Sequence, residues 1–165
     1  MSHPVEKTRI INAISPIACG LSTAVKGRYV SLKNVDKAYI IVMATSMGGA
    51  VTNTVTPYQA TAVAGTSAKV FSTANPMNIW YTNGCSSDET LTKASTSYVD
   101  HTFSAATGEK QVIFEIPTAL LDVASTFDCL GVWMSSGGST NDGYAAWYWL
   151  EMRYAEADTP SVMID

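Results

Sequence analysis

The sequence predicts an all-β fold, a single-domain antiparallel β-sandwich of jelly-roll-like type with an extended N-terminal arm and a C-terminal tail. Short apolar runs alternate with turn residues along most of the chain, as in sandwiches and barrels. Ser and Thr make up 36 of the 165 residues, and Thr is favoured in strands while Ser serves turns. No segment shows the sustained 3.6-residue period of a long helix.

The length of 165 residues is typical of one domain with a sizeable core. We divide the chain into an N-terminal arm at 1–20, a sandwich domain at 21–155 and a C-terminal tail at 156–165. The arm mixes basic and apolar side chains, namely Lys7, Arg9, Ile10, Ile11, Ile14 and Ile17. Two interpretations of the arm remain open. It adds to the sheet of a neighbouring subunit, or it is the first strand of its own sandwich.

The predicted strands are short apolar runs that end at Gly, Asn or Asp, and they lie in order at 28–33, 38–45, 51–60, 78–81, 97–103, 111–116, 128–135 and 144–155. The run at 38–45 is apolar on both faces, so we expect a central or fully covered strand. Pro57 predicts an edge or a bulge at the end of its strand. In 111–116, Val112, Phe114 and Ile116 share one face, which indicates a half-buried strand. The segment 117–122 fits one helical turn.

The last strand gives the clearest pattern. Its even positions from Tyr144 to Tyr154 form an unbroken apolar face, which we expect to point into the core. Trp147 and Trp149 share the odd positions with Glu151 and Arg153, and charges mark an outer face. Two large rings on an outer face indicate contact with another chain or with a sugar. The alternative is cover by the arm or by a long loop of this chain.

Composition excludes several functions. A net charge of −4 without a basic run argues against nucleic acid as a partner. No apolar run reaches the roughly 18 residues that a membrane span needs. The three cysteines, Cys19, Cys85 and Cys129, form no CxxC pair, so a zinc site has no support. We expect free thiols, with Cys129 as a small buried hydrophobic residue.

No arrangement of residues predicts catalysis. His3 is terminal, and His101 follows Asp100 directly, so in a strand the two would point to opposite faces. No GxSxG, HExxH, P-loop or GxGxxG motif occurs. The acidic pair at 88–89 is typical of a solvated turn, and the loop at 137–143 is typical of a hairpin tip. We therefore predict no catalytic residue, no cofactor site and no metal site, and a protein that is not an enzyme.

Several short motifs occur in a recognisable order. They are YVSLKN at 29–34 with the apolar strand after it, DETLT at 88–92, LDV at 121–123, FDC at 127–129, EMRYA at 151–155 and PS at 160–161. Through them the chain resembles the capsid decoration (cement) proteins of tailed bacteriophages over most of 29–165. The Trp-rich segment at 146–149 and the N-terminal arm are not part of the resemblance.

The resemblance implies a β-sandwich without an active site. It also implies a homo-oligomer, most often a trimer, made in the host cytoplasm and placed on the outer surface of the virion head. There it would bridge neighbouring major capsid protein subunits and resist the internal pressure of the DNA. The alternatives are a phage tail or fibre module, or a carbohydrate-binding β-sandwich that stacks sugars on Trp147 and Trp149. The candidate interface residues are Arg9, Ile10, Ile11, Ile14, Trp147, Trp149, Arg153, Val162, Met163 and Ile164.

Overall fold

The computed structural model describes residues 7–18, 24–45, 53–85, 90–95, 98–103, 108–135 and 143–154. These ranges form twelve strands and two short 3-10 helices at Thr118–Leu120 and Val123–Ser125. The strands are β1 Thr8–Ala18, β2 Val25–Lys26, β3 Val30–Ser31, β4 Val35–Thr45, β5 Thr54–Ala60, β6 Lys69–Val70, β7 Asn78–Thr82, β8 Thr92–Lys93, β9 His101–Thr102, β10 Lys110–Pro117, β11 Cys129–Met134 and β12 Gly143–Met152. The predicted all-β class is confirmed.

The strands form two antiparallel sheets. The first sheet has the order β1-β12-β4-β10-β7-β8, and the second has the order β2-β11-β5-β6, with β3 beside β11 and β9 beside β5. The predicted strand at 38–45 is β4, and it is central, since β12 and β10 flank it. The predicted helical turn at 117–122 contains the 3-10 helix Thr118–Leu120.

The core fills the space between the sheets. Because neighbouring residues of a strand point to opposite faces, β10 buries Val112, Phe114 and Ile116, as its alternation predicts. From the second sheet, β11 contributes Leu130 and Val132. One continuous apolar cluster therefore joins the two sheets, as expected of a sandwich.

Strand β12 confirms the predicted phase as far as Met152, whereas Tyr154, which we expected on the same buried face, lies beyond the strand and is 60% exposed. Tyr144, Ala146, Tyr148, Leu150 and Met152 are buried, and the intervening Trp149 is 42% exposed. The hydroxyl of Tyr148 donates a hydrogen bond to the backbone carbonyl of Arg28 at 2.6 Å. Burial raises the pKa of this phenol, so the hydroxyl keeps its proton as a donor across the core.

The described part of the N-terminal arm is the first strand of its own sandwich. Strand β1 pairs antiparallel with β12 of the same chain, and Thr8 lies opposite Glu151. The register shifts between Asn12 and Ile14, where the backbone carbonyl of Ala13 accepts a hydrogen bond from Arg28 N–H at 3.0 Å. Strand β1 therefore extends the first sheet sideways and does not lie over the face that carries Trp149.

Strand β5 shows where a proline fits inside a sheet. Pro57 lies opposite Val132 of β11. On the other side of β5, β6 pairs with Tyr58 and Gln59, and β9 pairs with Thr54 and Val55. Within the described ranges Pro57 lies in the gap between these two partners, so its missing N–H costs no ladder bond. Pro57 therefore lies at a local edge, as predicted, although β5 as a whole is an interior strand.

Several predictions fall outside the described residues. They concern His3, Cys19, the acidic pair at 88–89, residues 137–142 of the predicted loop at 137–143, and the tail at 156–165. Among the described residues, Cys85 and Cys129 form no disulfide, and Cys129 is buried as predicted. No helix in the described part of the chain is long and apolar enough to cross a membrane.

Candidate functional site

The surface of the first sheet that points away from the core carries a contiguous group of apolar side chains, with polar side chains around it. Strand alternation puts one apolar set on it from five neighbouring strands. We call this surface the outer face, and it comprises Ile10 of β1, Tyr39, Ile41 and Met43 of β4, Trp80 of β7, Ile113 of β10, and Ala145, Trp147 and Trp149 of β12.

The first row of the outer face crosses four strands. Trp147 lies opposite Ile41, Ile41 opposite Ile113, and Ile113 opposite Trp80. At about 4.8 Å between strands, this row spans roughly 14 Å. All four side chains are half-buried, because each packs against its neighbours in the row and leaves one side to solvent. The row ends at Lys93, whose ammonium lies 5.5 Å from the centre of the Trp80 ring.

The second row of the outer face contains its most exposed side chains. Ile10 lies opposite Trp149, and Trp149 lies opposite Tyr39. The rings of Trp149 and Tyr39 are 6.1 Å apart between centroids, within the usual range for an aromatic pair. Ile10 is 72% exposed and Trp149 is 42% exposed. These two side chains therefore present apolar area that the monomer leaves in water.

A polar group of side chains limits the outer face on one side. The Lys37 ammonium lies 2.7 Å from a carboxylate oxygen of Glu115, and the Asn78 amide donates to the other oxygen at 3.3 Å. The hydrogen bond from Lys37 lowers the pKa of the Glu115 carboxyl, and the same bond raises the pKa of Lys37. Both groups are therefore ionised at neutral pH, and their opposite charges balance.

At its other end the outer face continues into an apolar groove. The groove has a volume of about 470 Å³ and lies between β1, β12 and β4, where Ile17, Met43, Ala145 and Trp147 line it. Ile17 is 41% exposed. The groove adds depth to an otherwise flat surface, and a side chain of a partner could fill it.

The structure separates the predicted interface residues of β1. Ile10 joins Trp147 and Trp149 on the outer face. Arg9 and Ile11 lie opposite the buried Leu150 and Tyr148, so they are on the other side of the strand, and Ile11 packs against the core.

Ile14 is a correction to the predicted set. It is 5% exposed, because the register shift in β1 turns it into the core. Arg153 lies exposed just beyond β12, and its backbone N–H donates to the carbonyl of Asn34 at 2.8 Å. Val162, Met163 and Ile164 lie outside the described residues.

Sequence reasoning missed more than half of the outer face. Tyr39, Ile41 and Met43 could have been predicted, since their strand is apolar on both sides. Ile113 and Trp80 could not have been predicted, because only the strand order and register align them with Trp147.

The described residues present little that resembles a reactive site. No three His, Cys, Asp or Glu side chains among them come close enough to hold a metal ion. His101 packs against the rings of Tyr81 and Phe103, and burial lowers its pKa. What these residues offer instead is contact area on the outer face.

No protein-family model matches the chain, and none of the curated proteins matches it. Among solved structures, the chain is similar to the SPBc2 prophage-derived protein YomS, with a TM-score of 0.46 and 8% identity, covering 87% of this chain and 93% of that chain. It is also similar to the N-terminal cellulose-binding domain of Cellulomonas fimi β-1,4-glucanase C, with a TM-score of 0.30 and 11% identity, covering 93% of this chain and 81% of that domain. At these values neither likeness indicates a shared function.

Proposed function

We propose that this chain is a non-enzymatic structural protein of a bacteriophage virion, a capsid decoration protein that docks on its neighbours through the outer face. One observation carries the proposal. The first sheet presents nine apolar side chains on one surface, and all of them except Ala145 are at least partly exposed to solvent.

An uncovered apolar surface of this kind indicates a partner. Soluble monomers rarely present a large contiguous apolar patch, and such patches commonly mark interaction sites. Its composition also fits an interface, because aromatic residues and Met are enriched in interface cores while Lys and Glu are depleted there. Trp147, Trp149, Trp80 and Tyr39 are of the residue types that most often dominate binding energy.

The arrangement of charge supports the same proposal. The charged groups Lys37, Glu115, Glu151 and Lys93 flank the apolar rows, and none of them interrupts the row from Trp147 to Trp80. An apolar centre with a polar rim is the usual anatomy of a protein interface. The balanced pair of Lys37 and Glu115 adds no net charge that would repel an identical neighbour.

The identity of the partners rests on the resemblance of the sequence to phage decoration proteins. On that basis the chain forms a homo-oligomer, with a trimer expected, and binds the major capsid protein on the outer surface of the head. Such a role needs an adhesive surface and a stable sandwich, and it needs no chemistry.

Reconstitution on phage heads tests this proposal. Heads from a phage in which the gene for this chain is deleted are mixed with the recombinant protein, sedimented, and assayed for bound copies by quantitative mass spectrometry. We expect hundreds of copies per head and a higher temperature for DNA release. Ile10→Ser and Trp149→Ser should lower the bound copies, while Val123→Ser should not. Val123 is the matched control, because it is 64% exposed and follows Asp122, whose carboxylate pairs with Lys69 of the second sheet.

Other outcomes would redirect the proposal. Binding to heads at background level would refute a decoration role, and copies in the tens on tails would favour the tail or fibre alternative. A glycan that changes the tryptophan fluorescence of the wild type, but not that of a variant lacking Trp147 and Trp149, would favour the carbohydrate-binding alternative.

A further inference from the structure

A second concave site lies away from the outer face, at the end of the sandwich where β7 and β8 of the first sheet meet β9 of the second. It is a cleft of about 450 Å³, and its lining includes Tyr81, Asn83, Ser95, Tyr98, Asp100 and His101. This volume is within the range of about 300–1,000 Å³ that is typical of small-ligand sites. Neither the sequence motifs nor the proposed docking role uses these residues.

The aromatic part of the cleft is fixed in place. Tyr81 is half-buried, and its ring lies 4.9 Å from the His101 ring between centroids, so the two side chains close the gap between the sheets. Tyr98 is 54% exposed, and its backbone is held because its carbonyl accepts a hydrogen bond from Met77 N–H at 3.2 Å. The cleft thus offers to a ligand a half-exposed tyrosine ring whose backbone is held in place.

The polar part of the cleft consists of hydrogen-bonding groups with little positive charge. Asn83, Ser95 and Asp100 are exposed, and they provide an amide, a hydroxyl and a carboxylate. The described residues that line the cleft include no Lys or Arg. Burial lowers the pKa of His101, which therefore adds no positive charge at neutral pH. A carboxylate without a basic neighbour disfavours anionic ligands such as phosphates.

We infer that this cleft binds a neutral sugar residue. A pyranose ring has an apolar face that can pack on Tyr98 and hydroxyl groups that can donate to Asp100 and exchange hydrogen bonds with Asn83 and Ser95. A cationic ligand fits less well, since Asp100 is the one acidic side chain among the described residues of the lining, whereas a sugar also uses the amide, the hydroxyl and the ring. The site is distinct from the outer face, so it would remain open in a chain docked through that face.

Titration by NMR tests this inference on the full chain. Lactose, maltotriose and triacetylchitotriose are the neutral probes, and N-acetylneuraminic acid and choline are the charged comparators. We expect a neutral probe to shift the backbone amide signals of residues 98–102 and to receive saturation transfer from the protein. Asp100→Asn should weaken that binding by about tenfold or more, because it removes a charge-assisted hydrogen bond. Tyr98→Ser should abolish it.

The control is Tyr154→Ser, which replaces a tyrosine of similar exposure, at 60%, outside the cleft and should leave sugar binding unchanged. Because Tyr98 and Asp100 are exposed, these variants are expected to fold. The inference is overturned if none of the three neutral probes shifts these signals. It is equally overturned if choline alone shifts them, or if the sugar shifts persist unchanged in both cleft variants.

Discussion

Trp149→Ala is expected to weaken self-association of the chain. The reasoning rests on the second row of the outer face, where Trp149 lies between Ile10 and Tyr39. The ring is 42% exposed in the monomer, so this fraction is available to be buried by a partner.

The size of the effect follows from that area. A tryptophan buries about 150–250 Å² when fully covered, and the 42% that is exposed corresponds to roughly 60–105 Å². At about 25 cal/mol per Å², burial of this area contributes about 1.5–2.6 kcal/mol. Since about 1.4 kcal/mol is a factor of ten in Kd, we expect association to weaken by roughly 10- to 70-fold for each site lost.

Sedimentation equilibrium over a concentration series is the assay, with the wild type, Trp149→Ala, Ile10→Ser and the control Val123→Ser measured in parallel. Ile10→Ser separates association from folding, because a side chain that is 72% exposed contributes little to the monomer. Urea unfolding of each variant establishes that the protein is folded under the assay conditions.

Two results would refute the reasoning. If the association constants of Trp149→Ala and Ile10→Ser equal that of the wild type, the outer face is not the contact surface between copies. If the wild type stays a monomer at every concentration, the predicted homo-oligomer is absent. With a monomeric wild type, binding to phage heads would show that the outer face contacts a different partner, and no binding would leave it without one.

Three further predictions concern stability. Gly131→Ala should destabilise the fold by about 1–3 kcal/mol in urea unfolding, because a Cβ there would lie 2.4 Å from Tyr29 Cε1; an unchanged midpoint would show that the ring moves freely. Burial lowers the pKa of His101 in the folded protein. The contribution of the neutral imidazole to the free energy of unfolding is therefore complete above the unfolded pKa of about 6.5 and is lost as the pH falls. His101→Phe should flatten this part of the stability curve, and equal slopes would contradict the assignment. Lys37 lowers the pKa of the Glu115 carboxyl, so the contribution of this pair to stability is present above the ordinary pKa of 4.5 and is lost as the pH falls below it. Lys37→Met should reduce the acid loss of stability in a thermal-melt pH series.

The sequence alone predicts the parts of this fold that depend on local alternation. The pattern of β12 establishes which side of that strand is buried, and the pattern of β10 does the same. The strands β2, β6 and β8 could not be predicted, because each has two residues and two residues show no period. The position of Ile14 depends on a register shift in β1, which no alternation rule anticipates.

The candidate site was predictable only in part, for a related reason. Trp147 and Trp149 stand out within one strand, but a surface is made by neighbouring strands. The alignment of Trp147 with Trp80 requires β4 and β10 between them, and this order depends on long-range pairing. The cleft beside Tyr98 forms only when both sheets are in place, so no pattern along the chain predicts that its residues come together.

The pairing of β1 with β12 has a consequence for synthesis. Strand β1 leaves the ribosome before β12, its partner in the first sheet, which lies more than 120 residues later in the chain. The outer face therefore does not exist on a nascent chain, because Trp147 and Trp149 arrive with the last strand. Contacts so distant in sequence slow folding, but here the delay also protects the chain. A nascent chain that still lacks β12 therefore cannot associate with its neighbours through this surface.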